Sequence, residues 1–189
     1  MEKIIIATHN AGKAEEFKKL LGNKFEIYTL PYGGYDGQAE ENGATFYENA
    51  LIKAKDVYDN TGITALADDS GLCVNALGGA PGVYSARYGG NCTQDEKNSL
   101  LINELQSFSD KSAKFVCSLV LYGKNGVIAS GYGETLGEIL PQKDGDGGFG
   151  YDGIFYSYDL KKSFGKAADE EKNSVSHRAR ALRDLIRKL

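Results

Sequence analysis

Four groups of residues in this 189-residue chain have types and spacing that suit chemistry. The first is THNAGK, Thr8 to Lys13, where a strand gives way to a helix. The free N–H groups and the dipole of a helix start attract anions. Gly12 lets a ligand approach the backbone, and Lys13 falls in the first helical turn, where a cation opposes the dipole unless an anion lies between. The other reading of Lys13 is a pair with Glu15 or Glu16 on a solvated surface, since the segment is not a full Walker sequence. The second group repeats the oddity: Ser176, His177 and Arg178 open the last helix, with Lys172 just upstream. Such a helix start suits a phosphate or the polar edge of a base, the alternative being a basic solvated helix.

The third group is acidic, with Glu40 and Glu41 in a loop and Asp68-Asp69-Ser70-Gly71 at a strand end. Adjacent strand residues face opposite ways, so Asp68 and Asp69 do not share one job. A few hard oxygen ligands are what Mg²⁺ takes when substrate phosphates complete its shell; a plain turn is the other reading. The fourth is GDGGFGYD, Gly145 to Asp152, whose glycines let the backbone come close to a flat ligand while Phe149 or Tyr151 stacks on it. Buried strand-end aromatics are the alternative. No Cys/His cluster has zinc spacing, and no Ser-His-Asp signature occurs.

The elements that must position these groups follow from periodicity. Lys3 to Thr8 and Phe25 to Leu30 read as strands. Between them runs a helix capped by Asn10, striped by Ala14, Phe17, Leu20 and Leu21, and ended by Gly22. Residues 31 to 44 form a loop. The capping box Thr45…Glu48 opens a helix to Tyr58 with Phe46, Ala50, Ala54 and Val57 on one face. A strand leads into Asp68-Asp69, and a glycine-dense connector follows. Thr93 to Phe108 is an amphipathic helix carried by Leu100, Leu101, Ile102 and Leu105. KFVCSLVLYG and VIASGYGETLGEIL are two long strands joined by the KNG turn. GDGGFGYDGIF ends in a short strand, and Ser176 caps a last helix with Leu182, Leu185, Ile186 and Leu189. This order predicts an α/β protein with a mixed sheet, in one domain over 1–189.

Composition narrows the function. The net charge is −4, which excludes a uniformly basic nucleic-acid binder. Residues 161 to 189 carry nine Lys/Arg against four Asp/Glu, so +5 sits in the tail and −9 in the rest. Gly is 24 of the residues, about 13% against roughly 7% in average usage, with 41% hydrophobic residues and no low-complexity tract. Disorder does not account for that excess; backbone geometry does. Cys73 and Cys117 lie in apolar runs and read as buried thiols in a reducing compartment, and Cys92 as exposed. The apolar run of MEKIIIAT is too short for a signal peptide, and no stretch has the length of a membrane span. A cytoplasmic protein without membrane or nucleic-acid partners is expected.

Taken together, the segments THNAGK, EENGATFYENALIKA, ALADDSGLCVNALGGAPGVYSARY, GGFGYD and EEKNSVSHRARAL resemble the inosine/xanthosine triphosphate pyrophosphatase family, in the family's order and over nearly the whole chain. The resemblance implies an elongated mixed β-sheet with flanking helices, two lobes around a central cleft, and a homodimer. It implies hydrolysis of deaminated purine nucleoside triphosphates (ITP, dITP, XTP) to the monophosphate and pyrophosphate by Mg²⁺-dependent water attack at the α-phosphate, clearing the nucleotide pool. Thr8, Asn10 and Lys13 would hold the triphosphate, with Lys53 adding a phosphate contact. Asp69 would be the catalytic acidic residue, as metal ligand or base, with Ser70 beside it on the substrate. Glu41, with Glu40 as the alternative, would help Asp69 hold Mg²⁺. Phe149, Gly150, Tyr151, Asp152, Lys172, His177 and Arg178 would surround base and sugar. Where the family usually has Pro after GFGYD, this chain has Gly153. Two other functions compete: a nucleotide-binding sensor without catalysis, and a pyrophosphatase for other modified nucleotides.

Overall fold

A computed structural model describes residues 2–22, 25–37 and 39–189. Its seven-stranded sheet has the order β2-β1-β3-β4-β5-β6-β7. The elements run β1 (Lys3–Ile6), α1 (Ala11–Leu21), β2 (Glu26–Thr29), α2 (Phe46–Thr61), β3 (Ala65–Val74), α3 (Gln94–Leu105), β4 (Ser112–Gly123), β5 (Gly126–Ile139), β6 (Phe155–Ser157), β7 (Lys162–Ser163), α4 (Asp169–Val175) and α5 (His177–Ile186). β1 pairs in parallel with β2 and β3, and β6 pairs antiparallel with β5 and β7, so the sheet is mixed. Among the described residues, no helix is long and apolar enough to cross a membrane.

The chain forms two compact units. The first comprises the residues up to Asp69, Cys117–Gly133 and Arg178–Leu189; the second comprises Ser70–Val116 and Glu134–His177. β1 is buried on both faces, which is why Ile4, Ile5 and Ile6 can all be apolar. Ile4, Ile6 and Leu66 pack with Phe17 and Leu21 of α1 and Leu182 and Leu185 of α5. Ile5, Ala65 and Ala67 pack with Ala50, Ala54 and Val57 of α2. Gly131 on β5 admits α5 closely: a Cβ there would lie 2.1 Å from the Ala181 carbonyl oxygen. The second unit is centred on Leu72, Leu101, Leu105, Phe115, Ile154, Phe155 and Phe164.

Several boundaries differ from the sequence reading. β1 stops at Ile6, so Thr8 belongs to the turn, and β2 is shorter by a residue at each end. α2 runs on to Thr61, where Gly62 closes it in the left-handed region, and α3 ends at Leu105 rather than Phe108. Phe46 is half-buried, and its expected place in the stripe of α2 goes to Asn49, which is buried. Leu100 and Leu189 are exposed rather than packed. The helical segment ahead of Ser176 was not legible: α4 ends there, and extended Ser176 separates it from α5. β7 is also new. Cys117 is buried as expected, whereas Cys73 and Cys92 are both half-buried. Gln38, in the loop read over 31–44, lies outside the described residues.

Candidate active site

In the first unit, Asn10 caps α1, its side chain accepting the Lys13 N–H at 3.1 Å, and Thr8 Oγ1 accepts the Asn10 N–H at 3.2 Å. No acidic residue stands in the first turn of this 11-residue helix. Lys13 reaches across to β3, where its Nζ lies 2.8 Å from Asp68 Oδ2. Glu15 pairs with Lys18, and Glu16 Oε2 accepts from Arg178 at 2.9 Å. The Arg178 Nε also lies 3.7 Å from Asp68 Oδ2. Burial by itself would raise the Asp68 carboxyl, yet Lys13, Arg178 and Lys53 hold it well below the usual carboxylate range.

Asp69 turns to the other face of β3. Its Oδ2 accepts from Asn49 Nδ2 at 3.1 Å. Lys53, one turn after Asn49 on α2, places its Nζ 3.0 Å from Glu41 Oε2 and 3.7 Å from Asp69 Oδ1. Burial pushes the Asp69 carboxyl up, against the pull of Lys53 and the Asn49 hydrogen bond. Burial acts downward on Lys53, but Asp68, Asp69 and Glu41 outweigh it and raise the ammonium. Glu41 and Asp69 thus converge on one cationic group, a donor set that fits a divalent cation. A divalent cation can be held by a pair of carboxylates with substrate oxygens and water completing its shell; among the described residues no group of three or more His, Cys, Asp or Glu could hold a metal ion. Glu40 is exposed.

The second unit assembles the remaining predicted residues. Asp152 Oδ2 accepts the Phe149 N–H and the Lys172 ammonium, both at 2.8 Å, with both charged side chains almost wholly buried. Lys172 Nζ also stands 4.6 Å from the centre of the Phe149 ring and 5.8 Å from that of Phe164. Gly148, at φ +71°, is required here, because a Cβ would sit 2.2 Å from Asp152 Oδ2. Gly150 turns at φ +64°. The Tyr151 hydroxyl donates to the Ser85 carbonyl at 2.9 Å, and burial pushes its pKa up to about 12. His177 stacks on Phe115 with ring centres 4.8 Å apart. Gly153 is buried, and its carbonyl accepts the Asp144 N–H at 2.7 Å. Ser70 follows Asp69 on β3 and is half-buried.

Of the residues read from sequence, Thr8, Asn10, Lys13, Glu41, Lys53, Asp69 and Arg178 lie in the first unit, and Ser70, Phe149 to Asp152, Lys172 and His177 in the second. Sequence reasoning left Asp68 without a partner and passed over Asn49. The available signal for Asn49 was an amide in the face of α2 that otherwise carries alanines, four residues before Lys53.

Comparison with known proteins bears on this arrangement. The model of the Ham1 family matches residues 4–188. A dITP/XTP pyrophosphatase of Ralstonia nicotianae is 44% identical, the alignment covering 100% of this chain and 97% of the relative. A dITP/XTP pyrophosphatase of Thermus thermophilus is 46% identical over 97% of this chain and 90% of its own. Among solved structures, the Ham1 protein of Staphylococcus aureus superimposes with a TM-score of 0.87 at 38% identity, covering 96% of this chain and 95% of that one. A HAM1 protein of Coxiella burnetii gives 0.87 at 40% identity, covering 98% and 96%.

Proposed function

The chain belongs to the Ham1 family, and from that membership we propose that it hydrolyses dITP, ITP and XTP to the monophosphate and pyrophosphate, removing deaminated purine nucleotides from the pool. The observation that carries this reading is the convergence of Glu41 and Asp69 on Lys53. A polyphosphate with its cation needs acidic and basic groups gathered together, and cleavage is then mainly positioning and charge neutralisation.

Glu41 and Asp69 would hold Mg²⁺, a role supported for Glu41 over Glu40 by the contact of Glu41 with Lys53. When bound, Mg²⁺ supplies charge neutralisation at the phosphate oxygens. Thr8, Asn10 and Lys13 bind the triphosphate at the start of α1, and Lys53 adds a phosphate contact. Asp69 orients a water toward the α-phosphorus and takes its proton as the water oxygen bonds to that phosphorus; the bond from the α-phosphorus to the bridging oxygen breaks, and pyrophosphate leaves against Lys13. Ser70 contacts the substrate beside it. Phe149, Gly150, Tyr151, Asp152, Lys172, His177 and Arg178 receive base and sugar, with donors directed at the purine 6-oxygen. Adenine presents an amino group there, which leaves those donors unpaired. On the same reading residues 1–189 act as one catalytic domain, in a cytoplasmic homodimer with no nucleic-acid or membrane partner.

The test is pyrophosphate release over a panel of ITP, dITP, XTP, ATP and GTP, with Mg²⁺ and with chelator. The expected result is Mg²⁺-dependent release with kcat/KM for ITP, dITP and XTP far above that for ATP; GTP keeps the 6-oxygen, so any rejection of it measures a separate requirement at purine position 2. Equal values for ATP overturn the selectivity, and binding without release identifies a sensor.

A further inference from the structure

Asn49 has no part in the chemistry above, yet it touches both arms of the acidic site. Its side chain is buried within the first unit. Nδ2 donates to Asp69 Oδ2 at 3.1 Å, and Oδ1 accepts the N–H of Gly43, two residues beyond Glu41, at 2.8 Å. These partners determine the amide's orientation, since a carboxylate only accepts and a backbone N–H only donates. The loop is drawn tight against it. A Cβ on Gly43 would lie 2.7 Å from both Asn49 Oδ1 and Glu48 Cβ. Glu48 Oε2 accepts the N–H groups of Ala44 and Thr45 at 2.7 and 3.1 Å, so the chain just after Gly43 is also tied to the first turn of α2.

We propose that Asn49 is a positioning residue that sets Asp69 and the Glu41 loop at the separation a divalent cation requires. The inference rests on the reading of Glu41 and Asp69 as the metal-holding pair. Two carboxylates drawn toward one point repel each other, and each needs an external tie to stay aimed there. Asn49 supplies the tie to Asp69 directly and the tie to Glu41 through the loop backbone. Lys53, one turn along the same helix face, lies between the carboxylates so aligned.

Two full-length variants test this. Asn49→Leu keeps the branched shape with a larger, apolar side chain and removes both hydrogen bonds; Gly43→Ala, on a half-buried loop, sets a Cβ against Asn49 Oδ1 and Glu48 Cβ, pushing the Glu41 arm away while leaving the apolar side chains of α2 unchanged. Mn²⁺ affinity is read by electron paramagnetic resonance with the α,β-methylene analogue of ITP present, and the Mg²⁺ requirement by half-maximal pyrophosphate release. Both variants are expected to bind Mn²⁺ about 10- to 100-fold more weakly and to need correspondingly more Mg²⁺, with kcat at saturating Mg²⁺ changed far less. A folding defect alone would lower kcat and melting temperature without moving the Mg²⁺ midpoint. Wild-type Mn²⁺ affinity in a folded Asn49→Leu protein overturns the proposal; if that variant does not fold, wild-type affinity in Gly43→Ala does so. A parent protein that neither binds Mn²⁺ nor releases pyrophosphate overturns the underlying site reading, and this inference with it.

Discussion

Asp68 and Asp69 are neighbours on β3, and the fold drives their carboxyl groups apart in acidity. Asp68 turns toward Lys13, 2.8 Å away on α1, while Asp69 turns toward Asn49, 3.1 Å away on α2. Both are desolvated, but only Asp68 has cations enough to outweigh burial. One carboxylate is thereby a permanent anion that braces Lys13 and Arg178. The other is a more basic group within reach of the acidic loop.

Replacing Asp68 by Asn strips the buried counter-ion from Lys13 and Arg178. Breaking one side of such a pair costs about 3–5 kcal/mol, to be read by urea denaturation at neutral pH. The folded state depresses the Asp68 pKa, so its stabilising contribution is whole above the unfolded value of about 4 and is lost as pH falls below it. The parent should therefore lose stability on acidification more steeply than Asp68→Asn.

Asp69→Asn should behave in the opposite way. The fold raises the Asp69 pKa, so ionised Asp69 is a burden on the metal-free protein at neutral pH, and the neutral amide should leave melting unchanged or improved. Turnover of ITP, by contrast, should fall by at least about 10²- to 10⁴-fold. In the parent, the acid limb of the kcat/KM profile should lie above the ordinary carboxylate range. Near-normal turnover by the variant refutes the assignment.

Lys53→Met removes the cation shared by Glu41 and Asp69. Without it the carboxylates repel, and added Mg²⁺ takes over its role. Differential scanning fluorimetry should therefore show a larger Mg²⁺-induced rise in Tm for the variant than for the parent. An equal rise in both contradicts the shared site.

Phe149→Leu keeps an apolar side chain over Lys172 but removes the ring face. Base–aromatic stacking contributes about 1–3 kcal/mol, so KM for ITP should rise about 5- to 100-fold with kcat little altered. A fall confined to kcat places Phe149 elsewhere than under the base.

Much of this was legible along the chain because caps and turns are local. Asn10 and Thr45 cap helices where their residue types predict, and the Thr45 capping box closes with Glu48; Thr93, read as the first residue of its helix, caps α3 in a second box with Glu96. Strands covered on both faces announce themselves as unbroken apolar runs. By contrast, α4 was hidden because DEEKNSV has no apolar stripe, only Lys172 in it being buried, and an ion pair with Asp152 holds it in place. β7 is two residues long, too short to leave a period.

The sequence by itself determined the residue inventory, the order of the longer elements and the family, since these depend on residue type and on neighbours a few positions away. It also separated Asp68 from Asp69, because strand alternation is a local rule. Only the tertiary structure decided their partners. That Lys13 meets Asp68 rather than Glu15 or Glu16, that Lys53 stands between Glu41 and Asp69, and that Asn49 ties Asp69 to Gly43 are results of packing α1 and α2 on opposite faces of β3. Charge pairing and buried hydrogen bonds act over a few ångströms in space, and sequence separation does not encode that distance.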